Sequence, residues 1–168
     1  DDGSTDGTWA EIRRHAAREN DADRSRREGE SAAPFDRRVV PIQHVRNRGA
    51  GAAVKTGYER SLADGVDVTA LMGGDGQMDP DVLDRLLDPI VEGRADYTKG
   101  NRLLGRTDRG EMPRFRFVGN AMLDSLTKIA SGYWETGDPQ TGYTAISKRA
   151  LEAIEVGEMY EYYGYPND

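Results

Sequence analysis

The chain has 168 residues, a formal net charge of −7 and no cysteine. This length suits one domain, and the acidic balance argues against nucleic-acid binding, because proteins that bind a phosphate backbone carry a basic face. Without cysteine, disulfides and thiolate metal sites are excluded, so a metal would need oxygen ligands or the histidines. The two histidines, His15 and His44, lack a paired spacing and are interpreted as structural or surface residues. No stretch reaches the roughly 18 apolar residues of a membrane-spanning helix.

The basic residues are mostly arginine, since only four of the 23 are lysines, and they stand beside 30 acidic residues. A composition poor in lysine and rich in acid and alanine is typical of a GC-rich genome and resembles that of a halophile. It concerns the solvent around the protein and carries no information about its chemistry.

The chain begins with a loop of small and acidic residues, and the spacing of apolar residues predicts a helix from Thr8 to Glu19. Thr5 or Asp6 is suited to cap this helix. Because a loop of this kind usually follows a strand, we expect that a first β-strand is missing ahead of it.

The acids of this loop also match the opening of a calcium-binding EF-hand loop, through Asp2, Ser4 and Asp6. The twelfth position of such a loop needs a bidentate glutamate, but Arg13 stands there, and no helix precedes the loop. We therefore set calcium binding aside.

A second candidate segment follows the polar stretch Asn20–Arg38, which is predicted to be a surface loop. Val39–Val45 is a predicted strand, and Arg46–Gly57 is a glycine-rich turn that opens a helix to about Ala63. Backbone donors and the helix dipole at such a turn favour an anion, as in phosphate sites. Val54 departs from both the Walker A and the dinucleotide patterns. The alternative is a helix start whose small residues pack closely against a sheet.

The third segment follows the apolar run Val66–Met72, which predicts a buried strand that leads into a glycine pair and then a helix over Pro80–Glu92. Ligands of α/β sheets bind beyond the carboxyl ends of strands, where Asp75 and Gln77 offer oxygen atoms for a hard cation. These two side chains share one side if the segment is extended. The alternative is an ordinary turn in which Asp79 caps the helix.

The remaining elements continue an alternation of strands and helices. They are predicted as a strand over Ala95–Lys99, a helix over Pro113–Ile129, a strand over Tyr143–Ile146 and a helix over Lys148–Ile154. The alternation predicts an α/β domain, 1–168, with a mostly parallel sheet flanked by helices. A missing first strand would leave a sheet edge exposed, so we expect self-association through that edge.

Five arginines lie between residues 102 and 116, namely Arg102, Arg106, Arg109, Arg114 and Arg116. Arginine suits the clamping of phosphate, but such a series is also common on a solvated face.

Three separated segments together resemble the family 2 glycosyltransferases of the GT-A fold, and within it the branch of dolichyl-phosphate mannosyl- and glucosyltransferases. The segments are Asp1–Thr8, Asn47–Gly51 with Lys55 and Gly57, and Gly74–Pro80; Gly100–Arg102 and Asp138–Tyr143 extend the similarity. The resemblance covers nearly the whole chain in the expected order.

The resemblance implies a role for several residues in binding a nucleotide-sugar: Asp1, Asp2, Ser4, Asn47, Gly49, Gly51, Lys55, Gly74 and Asp75. It also implies that Asp75 and Gln77 contact a divalent ion, Mg²⁺ or Mn²⁺. Gly73 stands where the family carries its first acid, so one ligand of the usual motif is absent.

The acceptor decides which other groups the reaction needs. A sugar hydroxyl would need a carboxylate base, whereas a polyprenyl phosphate is already largely ionised at neutral pH and needs mainly a cationic clamp. Arg102 is the candidate for that clamp. The family placement makes Asp138 the leading candidate for a base or an acceptor-orienting group and Asp168 the second, against the simpler interpretations of a turn carboxylate and a frayed terminus.

These inferences favour an inverting transfer of a hexose from UDP- or GDP-sugar to a polyprenyl phosphate at the cytoplasmic face of a membrane. Transfer to a glycan hydroxyl is one alternative, although the Gln-x-x-Arg-Trp motif of polysaccharide-synthesising members is absent. A non-catalytic fragment that binds nucleotide-sugar is the other.

Overall fold

The structure is a computed structural model that describes residues 1–27, 39–76, 78–100, 142–159 and Glu161. The described chain forms two compact units, one of residues 1–53 with Glu161 and one of residues 54–159. The helices are α1 Thr8–Arg27, α2 Ala50–Asp64, α3 Leu83–Val91 and α4 Lys148–Ala153; the strands are β1 Val68–Leu71, β2 Tyr97–Lys99 and β3 Thr144–Ser147; and Pro80–Val82 and Val156–Glu158 are 3₁₀ turns.

Helix α1 of the first unit is longer than the sequence predicted. Its start is capped as expected, since Asp6 Oδ1 accepts the Thr8 N–H at 2.9 Å. The helix continues to Arg27 into the segment predicted as a loop. That part of the segment lacks apolar periodicity, but it contains no glycine or proline, and its alanine and arginine residues favour a helix.

The prediction of a strand over Val39–Val45 is wrong, because this segment of the first unit forms no regular ladder. Two backbone bonds connect it to Asp1: the Asp1 amino group donates to Ile42 O at 2.9 Å, and His44 N–H donates to Asp1 O at 2.9 Å. This is the bonding pattern of parallel strands, but it extends over a single residue of the partner.

The sheet of the second unit has three strands in the order β1-β3-β2, and both of its pairings are antiparallel. β1 and β2 therefore run in the same direction, as an alternation of strands and helices predicts, but they do not pair. The central position belongs to β3, in which Thr144, Ala145 and Ile146 are all buried. A strand that buries both faces is suited to the middle of a sheet, and β3 enters it opposite to its neighbours.

Two groups of apolar residues cover the two faces of this sheet. Helix α3 lies on one face, where the cluster contains Leu86, Ile90, Tyr143 and Ala145. Residues of α2 and α4 lie on the other, where the cluster contains Val54, Tyr58, Ile146, Leu151 and Val156. The second unit thus has helices on both sides of a sheet, as the sequence predicted. The predicted parallel pairing is wrong for the described strands, because β3 lies between β1 and β2 and is antiparallel to both.

Two threonines of this sheet differ in the state of their hydroxyl groups. Thr144 Oγ1 is buried and has no hydrogen-bond partner among the described residues, whereas Thr98 Oγ1 donates to Leu86 O at 2.7 Å. We expect Thr144→Val to raise the unfolding free energy by about 1 kcal/mol and Thr98→Val to lower it by about 1 kcal/mol. Urea denaturation of both variants measures the difference. Equal losses of stability in the two variants would contradict the assignment of an unsatisfied hydroxyl.

No helix in the described ranges has both the length and the apolar character needed to cross a membrane. The predicted helix over residues 113–129 and the arginine series lie outside the described residues.

Candidate functional site

In the first unit, the loop at the start of the chain lies directly against the segment that precedes α2. Gly3 has a φ of +70°, and a Cβ atom built on it would lie 2.5 Å from the backbone of Arg46 and Asn47. A left-handed conformation combined with such a close approach requires glycine. The structure therefore brings together two of the segments that carry the family resemblance.

Asp2 holds these two segments together through its carboxylate. Its oxygens accept the backbone N–H of Arg48 at 3.0 and 3.1 Å, the N–H of Gly49 at 2.7 Å, and a bond from His44 Nδ1 at 2.6 Å. Partial burial favours the neutral acid, but the bonds from His44, Arg48 and Gly49 outweigh it and hold the pKa of Asp2 below its ordinary value. An ionised Asp2 thus anchors the turn that opens α2.

At the start of α2 the sequence predicted a turn whose backbone donors favour an anion, as in phosphate sites. The anion that occupies the turn is the Asp2 carboxylate. Further along, at the third residue of α2, Ala52 N–H bonds to Glu161 O at 2.9 Å and to Gly49 O at 3.1 Å. The chain therefore satisfies the N–H groups of Arg48, Gly49 and Ala52 internally.

Asp1 and Ser4 lie on the exposed side of the same loop. Ser4 Oγ donates to Asp1 Oδ1 at 2.5 Å, and Gln43 Nε2 donates to Asp1 Oδ2 at 3.0 Å. A carboxylate, a hydroxyl and an amide are thus grouped at the surface, where they can bond to a polar ligand. Gln43 was not predictable from the sequence, because its proximity to Asp1 depends on how the chain folds back.

Arg48 contributes an ion pair that the sequence did not predict either. Its Nη2 atom lies 2.5 Å from Glu161 Oε2, and both side chains are partly exposed. Asn47 is exposed, whereas Gly49 and Gly51 are buried, and Gly49 has a φ of +102°, a conformation that favours glycine.

In the second unit, Lys55 Nζ donates to Gly157 O at 2.6 Å. This bond links α2 to the 3₁₀ turn Val156–Glu158. The predicted part of Lys55 in nucleotide binding stays a prediction.

Asp75 lies in a turn of the second unit that follows β1. Gly76 has a φ of +76°, so the segment is not extended there. The condition under which Asp75 and Gln77 were expected to share one side is therefore not met. A Cβ built on Gly73 would lie 3.4 Å from Asp75 Oδ1, so the carboxylate folds back over this glycine. Gly74 is exposed.

The turn is fastened to the core at its end. Asp79 Oδ1 accepts the Asp81 N–H at 2.9 Å, which confirms Asp79 as a helix cap, and Tyr143 Oη donates to Asp79 O at 3.0 Å. Burial, reinforced by the negative charges of Asp79 and Asp84, raises the pKa of Tyr143, so its hydroxyl stays a donor at neutral pH.

Among the described residues there is no group of three or more histidine and acidic side chains arranged to hold a metal ion. Asp75 is the one described member of the predicted metal pair. Its carboxylate is a hard oxygen ligand of the kind that Mg²⁺ and Mn²⁺ prefer, so the residue fits such an ion as part of a shell. Gln77, Arg102, Asp138 and Asp168 lie outside the described residues.

The sequence profile described as glycosyl transferase family 2 matches residues 1–155. The match covers most of the chain, including the anchored loops of the first unit and the Asp75 turn of the second. The chain belongs to glycosyl transferase family 2, and the fold class is therefore the GT-A fold of that family.

Characterised and uncharacterised relatives agree with this placement. A UDP-N-acetylglucosamine–dolichyl-phosphate N-acetylglucosaminyltransferase of Methanococcus voltae is 33% identical over 117 residues, which is 70% of this chain and 46% of the relative. A polyprenol monophosphomannose synthase of Mycolicibacterium smegmatis is 29% identical over 159 residues, or 95% of this chain and 53% of the relative. An uncharacterized protein of Methanocaldococcus jannaschii is 29% identical over 121 residues, or 72% and 49%. The chain spans about half the length of these relatives.

Proposed function

We propose that this chain contains the donor site of an inverting glycosyltransferase that moves a hexose from UDP- or GDP-sugar to a polyprenyl phosphate. The observation that carries the proposal is the anchoring of the Asp1–Ser4 loop by Asp2. The chain belongs to the family, and the family resemblance implies that this loop binds the nucleotide. Two relatives support the acceptor, since one is named for dolichyl-phosphate and the other as a polyprenol monophosphomannose synthase.

The first unit supplies the groups for the nucleotide. A carboxylate, a hydroxyl and an amide lie side by side at the surface, from Asp1, Ser4 and Gln43. Such a group is suited to bond the hydroxyl groups of a ribose or the edge of a base. Asp2 keeps this loop in position through its bonds to the turn before α2. These contacts bind and orient the donor before any bond changes.

Asp75, together with Gln77, is proposed to hold a divalent ion against the diphosphate. When bound, Mg²⁺ or Mn²⁺ stabilises the charge that develops on the leaving diphosphate. Asp75 is exposed in the turn that follows the carboxyl end of β1, and ligands of α/β sheets bind beyond the carboxyl ends of strands.

The acceptor is proposed to be a phosphate monoester at the cytoplasmic face of a membrane. Such a phosphate is largely ionised at neutral pH, so it attacks without losing a proton and needs chiefly a cation to hold it. Arg102 is the proposed clamp, and Asp138 or Asp168 is the proposed orienting group, which would act as a base if the acceptor were a glycan hydroxyl.

Titration calorimetry and a transfer assay test this proposal. We expect either UDP or GDP to bind in the presence of Mn²⁺. In the transfer assay, the labelled sugar of the corresponding nucleotide-sugar should pass to a polyprenyl phosphate but not to a glycan hydroxyl. Transfer to the glycan hydroxyl alone would mean that the acceptor is a glycan and not a polyprenyl phosphate. Tight nucleotide binding without turnover would favour a non-catalytic fragment. Absence of binding to either nucleotide would contradict the donor site.

The described chain is further proposed to self-associate through β1. Lys148 N–H bonds to Asp67 O at 2.8 Å, and alternation along an antiparallel pair then directs the backbone groups of Val68 and Ala70 away from β3. No described residue pairs with that edge, and open edges recruit other strands. Sedimentation velocity should show a weight-average mass that rises with concentration; a constant monomer mass would contradict self-association.

A further inference from the structure

The turn that carries Asp75 is closed by an unusual hydrogen bond from its first residue to a sulfur atom. Gly73 N–H donates to Met78 Sδ at a donor–acceptor distance of 3.0 Å. A thioether is a weak acceptor, and the five-residue separation means that this single bond spans the turn. The donor is at the exposed end of the turn, whereas Met78 is half-buried.

The Met78 side chain also connects this turn to the core. It packs against the cluster formed by Leu86, Ile90, Tyr143 and Ala145 between α3 and the sheet. Methionine is suited to both tasks, because its flexible apolar chain fills the core surface and its polarizable sulfur faces a donor. The position of the Gly73 backbone is thereby coupled to a packed element of the fold.

The coupling reaches Asp75 because the Met78 side chain and the Asp75 carboxylate both lie close to Gly73. A Cβ built on Gly73 would be 3.4 Å from Asp75 Oδ1 and 3.6 Å from Met78 Cε. A shift of the Gly73 backbone therefore changes the surface against which the carboxylate rests.

We infer that Met78 is a positioning residue for Asp75: its sulfur holds the turn in the conformation in which the carboxylate meets the donor diphosphate and its ion. This inference rests on the proposed function. It assigns no contact between Met78 and the substrate.

The test compares Met78→Leu with Met72→Leu. The first substitution removes the sulfur acceptor and conserves volume. The second changes the same residue type at an exposed position just before the turn, where the side chain is 45% exposed. Met78→Gln is the rescue variant, because its amide oxygen restores an acceptor on a chain of similar length.

The first readout is hydrogen exchange of the Gly73 amide by NMR, and it needs no ligand. We expect Gly73 to lose protection in Met78→Leu, with the melting temperature within about 3 °C of wild type. The second readout is the affinity for the nucleotide in the presence of Mn²⁺. It should weaken about three- to tenfold, the effect of losing one hydrogen bond of ordinary net strength. Met72→Leu should match wild type in both readouts, and Met78→Gln should recover both.

Unchanged Gly73 exchange in Met78→Leu would overturn the tether. Changed exchange with unchanged nucleotide affinity would overturn the positioning role. If wild type binds neither UDP nor GDP, the proposed function fails, while the exchange experiment still decides the tether by itself.

Discussion

Replacement of Asp2 by alanine is expected to lower the unfolding free energy by about 2–4 kcal/mol at pH 7 and to abolish measurable nucleotide binding. The backbone donors of Arg48 and Gly49 and the ring of His44 lose a charged acceptor together. Because these bonds connect the first loop to the turn before α2, the exposed groups of Asp1 and Ser4 lose their position as well. Urea denaturation and titration calorimetry measure the two effects.

Two variants serve as controls for Asp2→Ala. Asp2→Asn keeps one acceptor oxygen and should lie between wild type and the alanine variant in stability. Asp6→Ala removes the exposed cap of α1 from the same loop and should leave nucleotide affinity unchanged. If Asp6→Ala weakened nucleotide binding as strongly as Asp2→Ala does, the loss of affinity in both variants would reflect general damage to the loop.

The stabilisation by Asp2 should also depend on pH. The pKa of Asp2 is lower in the folded chain than in the unfolded one, so its contribution is fully present above the ordinary aspartate value of about 3.9. It is lost as the pH falls through the lower pKa of the folded state. The stability difference between wild type and Asp2→Ala should therefore shrink as the pH falls below about 4. A difference that grew on acidification below about pH 4 would contradict this sign.

Replacement of Asp75 by alanine is expected to reduce sugar transfer by about 100-fold or more, the effect of removing a group that stabilises charge in a transition state. Calorimetry should show that Mn²⁺ no longer increases nucleotide affinity. Little change in melting temperature is expected, because Asp75 is exposed in its turn.

Asp84→Ala is the matched control for Asp75→Ala. Asp84 is an exposed acid in the first turn of α3, so the variant changes the net charge of the second unit equally. It should retain both the effect of Mn²⁺ and the transfer rate. Full activity of Asp75→Ala, or equal losses in the two variants, would remove Asp75 from the mechanism.

The sequence was sufficient for the features that depend on neighbouring residues. The glycines and short polar residues of Asp1–Thr8 and Arg46–Gly57 identified two loops that the structure does bring into contact, through Gly3 and Asp2. The Asp6 and Asp79 caps were also predictable, because a cap bonds to an amide only two residues away. The family resemblance depended on these same local motifs.

The extent of α1 and the fate of the Val39–Val45 segment were not predictable in the same way. Helix α1 continues without apolar periodicity, so the pattern that predicted its first half carried no information about its second. A strand forms only with a partner, and the described chain offers Val39–Val45 two bonds to Asp1 instead of a ladder.

By itself the sequence determined the α/β class, the family and the loops that carry the candidate site, since each depends on residue types within a few positions of one another. Only the tertiary structure decided that Asp2 fills the turn before α2, that β3 lies between β1 and β2, and that Met78 closes the turn of Asp75. The first two depend on contacts between residues more than 40 positions apart. The third depends on a backbone turn at Gly76 that brings a sulfur to an amide, and no spacing of residue types encodes where those two atoms meet.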